Sequence, residues 1–234
     1  IADIQTPISS LIKLSKNQKY SFLLESVQGG DQRGRFSLLG CDPDIIWKIK
    51  DNKVNVKSLD KNLDLSFLPD NPIDSLRKLI QYSKIERDFN DPPLPILVGY
   101  FGYSMIKFME EIQLNNKDEI NIPDAILIRP KLVAVFDNIK DTINVMTPIY
   151  PNKKITPEKA LSLGNKYLNA NIEKLEVETN FRTTYQKKKD DELHFKSNYT
   201  KKEYCKIIEK AKSYIRAGDV FQVVPSQRFK SKYK

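Results

Sequence analysis

Ile45-Ile-Trp-Lys-Ile-Lys-Asp-Asn-Lys-Val-Asn-Val-Lys57 decides the fold class. Ile45–Lys50 and Val54–Lys57 are built from residues that suit a pleated, half-buried surface. Asp51-Asn52 between them supplies a hairpin turn, because short polar side chains tolerate the left-handed backbone that a tight turn requires. Upstream, Lys19-Tyr-Ser-Phe-Leu-Leu-Glu-Ser26 is a short apolar run followed by turn residues at Gln28-Gly-Gly-Asp31. Arg35-Phe-Ser-Leu-Leu-Gly40 is another, closed by Asp42-Pro43. The front of the chain therefore reads as β-rich.

Downstream a helix is predicted, with Asn71 as cap, Pro72 at its first position and Asp74 at its positive end. Ile73, Leu76, Leu79 and Ile80 form its expected buried stripe. Leu94–Phe101 reads as a buried strand with a glycine-punctuated turn at Gly99 and Gly102. Ser104–Glu110 starts a helix or an irregular segment. Ala125–Arg129, Leu132–Phe136 and Thr142–Met146 read as three further strands, with Asp137-Asn138 as a turn. A long helix follows from about Pro157 to Leu175, capped by Thr156, with Ala160, Gly164, Tyr167, Leu168, Ile172 and Leu175 on one face.

Past that helix the composition shifts to Thr, Asn, Lys, Asp and Glu, and periodicity disappears. This divides the chain into a first domain at 1–176, a linker at 177–198 and the start of a second domain at 199–234. Thr200 and Glu203 make a capping box. Tyr204, Ile207, Ile208, Ala211, Tyr214 and Ile215 form an apolar stripe, and Gly218 is a natural helix end. Val220–Phe229 then reads as a strand. Gln222, Val224, Ser226 and Arg228 would share one face and Phe221, Val223 and Phe229 the other. Such a strand could line a binding cleft, but periodicity alone favours an ordinary surface strand.

The 234 residues carry a net charge of +9, with 31 Lys against 8 Arg. The lysines are spread along the chain, and Lys187–Lys189 is followed at once by Asp190–Glu192. This describes a solvated surface, whereas nucleic-acid readers favour clustered Arg with interleaved aromatics. The longest apolar stretch, Pro95–Tyr103, is far short of a membrane span. Neither nucleic acid nor membrane is expected as a partner. Cys41 and Cys205 have no CxxC companion and His194 is the only histidine, so no zinc site is expected here and the thiols read as reduced and cytoplasmic. No Walker loop, GxGxxG, HExxH or GxSxG is present. Gly29-Gly30 and Arg33-Gly-Arg35 have the composition to hold an anion, but a strand pattern follows them where a phosphate cradle needs a helix start. The carboxylate pairs Asp42/Asp44 and Glu110/Glu111 read as surface pairs. The chain lacks an initiator Met, and its last residues carry no stop signal for their element. It is therefore expected to be a piece of a longer protein.

Three stretches together resemble a known family. Leu23-Leu-Glu-Ser26, with Gly30-Asp-Gln-Arg-Gly-Arg-Phe-Ser-Leu-Leu-Gly40 and Asp42-Pro43, is similar to the N-terminal signature of anthranilate synthase component I. Gly99-Tyr-Phe-Gly-Tyr103 and Val135-Phe-Asp137 fit its middle. Ala211–Phe229 resembles the opening of its chorismate-binding domain, with Pro225 where some relatives have Leu. The resemblance implies an α+β fold, a mixed or antiparallel sheet flanked by helices, cut before most of the catalytic half. It implies a lyase that converts chorismate and ammonia to anthranilate and pyruvate, the first committed step of tryptophan synthesis. A glutamine amidotransferase subunit, component II, would supply the ammonia. Mg²⁺ is the implied cofactor, with ligands expected beyond residue 234. The metal-binding glutamates, the elimination histidine and most chorismate contacts of the family also lie beyond that point, so this piece alone would be inactive.

Two family roles map onto this chain. Ser26 corresponds to a contact for L-tryptophan, the feedback inhibitor, with Glu25 adding charge beside it. Without the family, Ser26 reads as a cap for the following turn. Gln222 corresponds to the place where relatives that add water to chorismate carry a Lys base. An amide cannot deprotonate water, but it can bond an incoming ammonia, which already has a lone pair. The alternatives are para-aminobenzoate synthase component I, which shares the fold, and a non-catalytic amino-acid-binding module.

Overall fold

The computed structural model describes residues 5–16, 18–28, 32–61, 63–86, 88, 91–114, 118, 120–150, 155–177 and 194–232, with the backbone alone at Ser26, Val27, Gln28, Gln32 and Arg33. Most of the expected linker, 178–193, and the turn at 29–31 lie outside the described residues. Contacts divide the chain into two compact units, Ile1–Thr179 and Asn180–Lys234.

The first unit is a six-stranded antiparallel sheet with helices against it. Its strands are β1 (Ser21–Gln28), β2 (Gln32–Lys50), β3 (Lys53–Ser58), β4 (Val98–Phe101), β5 (Ala125–Asp137) and β6 (Thr142–Met146). The path runs β1-β2-β5-β4, with β3 on β2 and β6 on β5. The β2–β3 turn is the predicted one. Asp51 and Asn52 both adopt positive φ, 51° and 63°, as a two-residue turn matched to strand twist requires.

Two pairs of expected strands are fused. β2 runs unbroken through Asp42-Pro43, and β5 runs unbroken through Pro130. Pro43 falls opposite Pro130. It also falls in the gap between the stretches of β2 that pair with β1 and with β3. The absent N–H groups thus leave no third strand short of a donor. Asp42 takes a positive φ of 51° there, and its N–H donates to Gln18 Oε1 at 2.6 Å. The register slips by one residue between Pro43 and Ile45, a bulge that changes which face of β2 points where.

That slip gives the sheet two cores. Leu39, Cys41, Leu132, Ala134 and Phe136 pack with Leu14 and Leu175 from helices α1 (Pro7–Leu14) and α3 (Pro157–Glu176). Ile45, Trp47, Ile49, Ala125 and Leu127 pack with Leu79 of α2 (Pro72–Tyr82) and with Met105 of a 3-10 turn at Tyr103–Phe108. Alternation along unbroken β5 puts its even members of the first cluster and its odd members of the second on opposite faces. Each large aliphatic side chain fully buried this way contributes about 1.5–3 kcal/mol relative to exposure.

The caps hold as predicted. Asn71 Oδ1 accepts from the N–H of Ile73 and Asp74, and Thr156 Oγ1 accepts from Lys159. The buried stripe of α2 holds at Leu79 and, half-buried, at Leu76, and is corrected elsewhere. Pro72, Ser75 and Leu79 face inward, whereas Ile80 is exposed. The reason is polar: the Trp47 indole N–H donates to Ser75 Oγ at 3.0 Å, so a serine faces the core to satisfy a buried donor. Helix α1, with its own Thr6–Ser9 capping box, is an element the sequence pattern does not predict. The strand expected over Leu94–Phe101 is shortened to β4.

The second unit, described by itself, holds β7 (Lys196–Ser197), α4 (Lys201–Ala217) and β8 (Phe229–Lys230). The Thr200–Glu203 capping box and the left-handed end at Gly218, φ 79°, are present as predicted. The strand expected over Val220–Phe229 is not. Residues 222–228 are irregular, and only Phe229 and Lys230 pair, with Ser197 and Lys196. Pro225 has no N–H to give a ladder, and its carbonyl instead accepts from Tyr204 Oη at 3.0 Å. Arg228 N–H donates to the side chain of Asn198 at 2.8 Å. Side chains and one main-chain bond, Asn198 N–H to Arg228 O at 3.1 Å, hold this segment. Among the described residues no helix is long and apolar enough to cross a membrane.

Candidate functional site

β1 and β2 pair in register from Ser21 opposite Cys41 to Glu25 opposite Ser37, and then slip, so that Val27 faces Arg33. Ser26 of β1 therefore stands against three residues of β2, 34–36. A bulge of this kind breaks the ladder and re-aims side chains. Ser26 sits in it, and its side chain lies outside the described residues. Glu25 beside it is exposed, and Ser37 across from it is buried.

The β5–β6 turn braces this bulge. Arg35 Nη2 reaches Asp137 Oδ2 at 3.0 Å, with Nε at 3.3 Å from the same oxygen. The guanidinium lies 4.7 Å from the Phe36 ring centroid. Asn138 donates its N–H to Arg35 O at 2.8 Å and its side-chain amide to Gly34 O at 2.7 Å. Arg35 is thus committed to a carboxylate rather than held for a ligand anion. The Arg35 bonds, with the N–H groups of Lys140 and Ile139, hold the Asp137 carboxyl below the usual carboxylate range. A depressed carboxylate stabilises above its unfolded pKa, about 4, and that contribution is lost as pH falls. Arg35→Gln is therefore expected to lower the urea midpoint at pH 6 and to converge on the parent protein as pH drops from about 4 to 2. An equal gap at both ends of that range would refute the assignment.

The Asp42/Asp44 pair is corrected from its surface reading. Asp44 is buried and bidentate to Arg129, at 2.8 Å and 2.6 Å. Asp42 accepts the Tyr167 hydroxyl at 2.7 Å and pairs with Lys131 at 3.1 Å. Burial and the bond to Asp42 push the Tyr167 phenol well above its ordinary range, so it acts as a fixed donor. Cys41 is buried, and burial pushes its thiol up to about 12. That suits packing and not nucleophilic chemistry. Cys205 is exposed. Glu110 and Glu111 are exposed, as expected.

Gln222 is exposed in the irregular segment of the second unit. Glu25 and Ser26 are adjacent in the first. Among the described residues no group of three or more His, Cys, Asp or Glu side chains comes together as a metal ion would need. The sequence reading also missed a cavity between the end of α1 and the β2–β3 hairpin, lined by Lys19, Tyr20, Lys48 and Lys57. The alternation along Ile45–Lys57 was the available signal, since it sets Lys48 and Lys57 on one face.

Residues 19–234 match the family of chorismate binding enzymes. The chain is 35% identical over 240 residues to a Cereibacter sphaeroides protein named anthranilate synthase component 1, covering all of this chain and 47% of that one. An Aquifex aeolicus protein of the same name is 32% identical over 238 residues, with the same two coverages. Among solved structures, anthranilate synthase component I from Streptococcus pneumoniae superposes with a TM-score of 0.61 at 26% identity, over 99% of this chain and 48% of that one. The chain spans about half the length of the curated relatives it matches.

Proposed function

The chain belongs to the chorismate binding enzyme family, and from that premise we propose that it is the front part of an anthranilate synthase large subunit, converting chorismate and ammonia to anthranilate, pyruvate and water. The observation that carries this reading is collinear similarity, over the entire chain, to relatives named for that activity. The antiparallel sheet with flanking helices, shared with the solved relative, supports it.

In this reading the first unit senses L-tryptophan. The exposed Glu25 carboxylate suits the ammonium of a free amino acid, and Ser26 follows it in the strand where the β1–β2 ladder slips. The 1–176 and 199–234 division corresponds to a sensing part and the opening of the chorismate-binding part. Gln222 stands on the nucleophile side of the substrate. Its amide has no base to offer water, so it favours ammonia, whose lone pair needs no proton removed. Ammonia comes from a glutamine amidotransferase subunit in the cytoplasm. Magnesium supplies an electrostatic clamp on substrate carboxylates when bound, with ligands beyond residue 234.

The test uses the full-length protein that carries this chain. With chorismate and ammonium it is expected to yield the blue fluorescence of anthranilate, and L-tryptophan is expected to suppress it. Formation of 4-amino-4-deoxychorismate alone would overturn the reading in favour of the para-aminobenzoate branch. Ser26→Ala is expected to raise the tryptophan concentration for half-inhibition at least tenfold with kcat unchanged. Gln222→Lys is expected to lower amination and admit water addition. Unchanged amination would remove its nucleophile-selecting role.

A further inference from the structure

Where α1 ends, part of the face of β2 and β3 opposite α2 lies open, and a cavity of about 320 Å³ stands on it. Lys48 on β2 lies opposite Asn55 on β3, and Ile46 lies opposite Lys57. Alternation puts all four side chains on this face. Tyr20 forms the adjoining wall. Lys48 Nζ donates to Tyr20 Oη at 3.1 Å. The ammonium groups of Lys48 and Lys19 lie 5.4 Å and 5.8 Å from the centroid of the same ring.

Three ammonium groups are therefore set around one small cavity by strand register and by a shared aromatic ring. Among the described residues none of the three forms an ion pair with a carboxylate. The one acidic residue on the wall, Asp42, is already engaged by Lys131 and Tyr167. Like charges placed this close repel, and an arrangement that keeps them uncompensated is one that a multivalent anion completes. The same groups act on Tyr20: the bond from Lys48, then the positive charges of Lys48, Lys19 and Lys57, hold its phenol below the ordinary tyrosine range.

We propose that this cavity is a binding site for a small oxyanion of two or more charges, a phosphate or a polycarboxylate, held by Lys19, Lys48 and Lys57 with the Asn55 amide as a neutral donor. It is separate from the Ser26 bulge, which lies at the other end of the β1–β2 ladder. It also does not depend on the proposed activity.

The experiment is calorimetric titration of the full-length protein at low ionic strength with two probes, sodium phosphate and sodium citrate. At least one is expected to bind saturably. The tighter of the two assigns the ligand to phosphates or to polycarboxylates. Lys48→Met and Lys57→Met are each expected to weaken binding at least tenfold. Lys53→Met, at an exposed lysine that opens β3 and does not line the cavity, is expected to leave it unchanged. Lys57 is exposed and on an edge strand, so its variant keeps the test valid even where Lys48→Met fails to fold. Bound anion is also expected to move the ultraviolet titration of Tyr20, read as the difference from Tyr20→Phe, toward higher pH. Absence of saturable binding for both probes, or equal weakening in Lys53→Met, would overturn the proposal.

Discussion

Asp44→Ala is expected to lower the stability of the protein by about 3–5 kcal/mol, read as a drop in urea midpoint at unchanged slope. The Arg129 guanidinium is fully buried. It is bonded twice to Asp44, at 2.8 Å and 2.6 Å, and donates once to Ser83 Oγ at 3.3 Å. It also lies 3.8 Å from the Tyr150 ring centroid. Removing the carboxylate leaves a permanently charged group with a weak neutral acceptor and aromatic faces but no counter-ion. Arginine cannot escape by losing its proton. The cost is the stranded charge and not the net worth of the pair, which is small once desolvation is counted. Hence Arg129→Met added to Asp44→Ala is expected to recover part of the loss. A double variant less stable than Asp44→Ala would show that the cation is tolerated alone.

Gly99→Ala is expected to cost about 1–3 kcal/mol. Gly99 pairs with Leu127 on the β4–β5 edge. A Cβ there would overlap the carbonyl oxygen of Ile126, and would stand 2.8 Å from its carbonyl carbon and 3.0 Å from Leu127 Cα. These are backbone atoms of a strand buried in the sheet, so no side-chain rotation relieves the clash. β4 has to shift or leave the ladder, breaking its pairing with Ala125–Ile128 of β5. Gly164→Ala is the matched control. Its nearest neighbour is the end of the Ile149 side chain, at 2.9 Å, which can swing. Alanine also favours a helix interior over glycine by up to about 1 kcal/mol. Urea midpoints that fall equally for both variants would contradict this account of β4.

The local signals that survived are those written in adjacent residues. The Asp51-Asn52 turn, the Asn71, Thr156 and Thr200 caps and the Gly218 helix end each depend on contacts within a few positions, and each stands where the pattern put it. What was not legible depends on partners far along the chain. Nothing near Asp42-Pro43 announces that Pro130 will lie opposite, so proline punctuation suggests a strand end where two prolines in fact face each other in one ladder. Ser75 turns inward for an indole 28 residues away, against the hydropathy of its helix. The irregular course of 222–228 follows from Tyr204 and Asn198 taking up its backbone groups, which alternation cannot reveal. For the candidate site, the sequence placed Glu25 and Ser26 side by side by necessity, but the slip in pairing that singles out Ser26 needed the register of β1 on β2.

One extra residue near Asp44 lets the same two strands serve both hydrophobic clusters, one on each side of the sheet. Neither cluster can therefore melt alone, because loosening either one frees the long ribbons that the other is built on. Amide protons along β2 and β5 should then exchange only through a single whole-sheet opening event, with one shared free energy from Leu39 to Ile49 and from Ala125 to Phe136. A disturbance at the tip where Ser26 lies would reach the α2 end through covalently continuous backbone, without any hinge between.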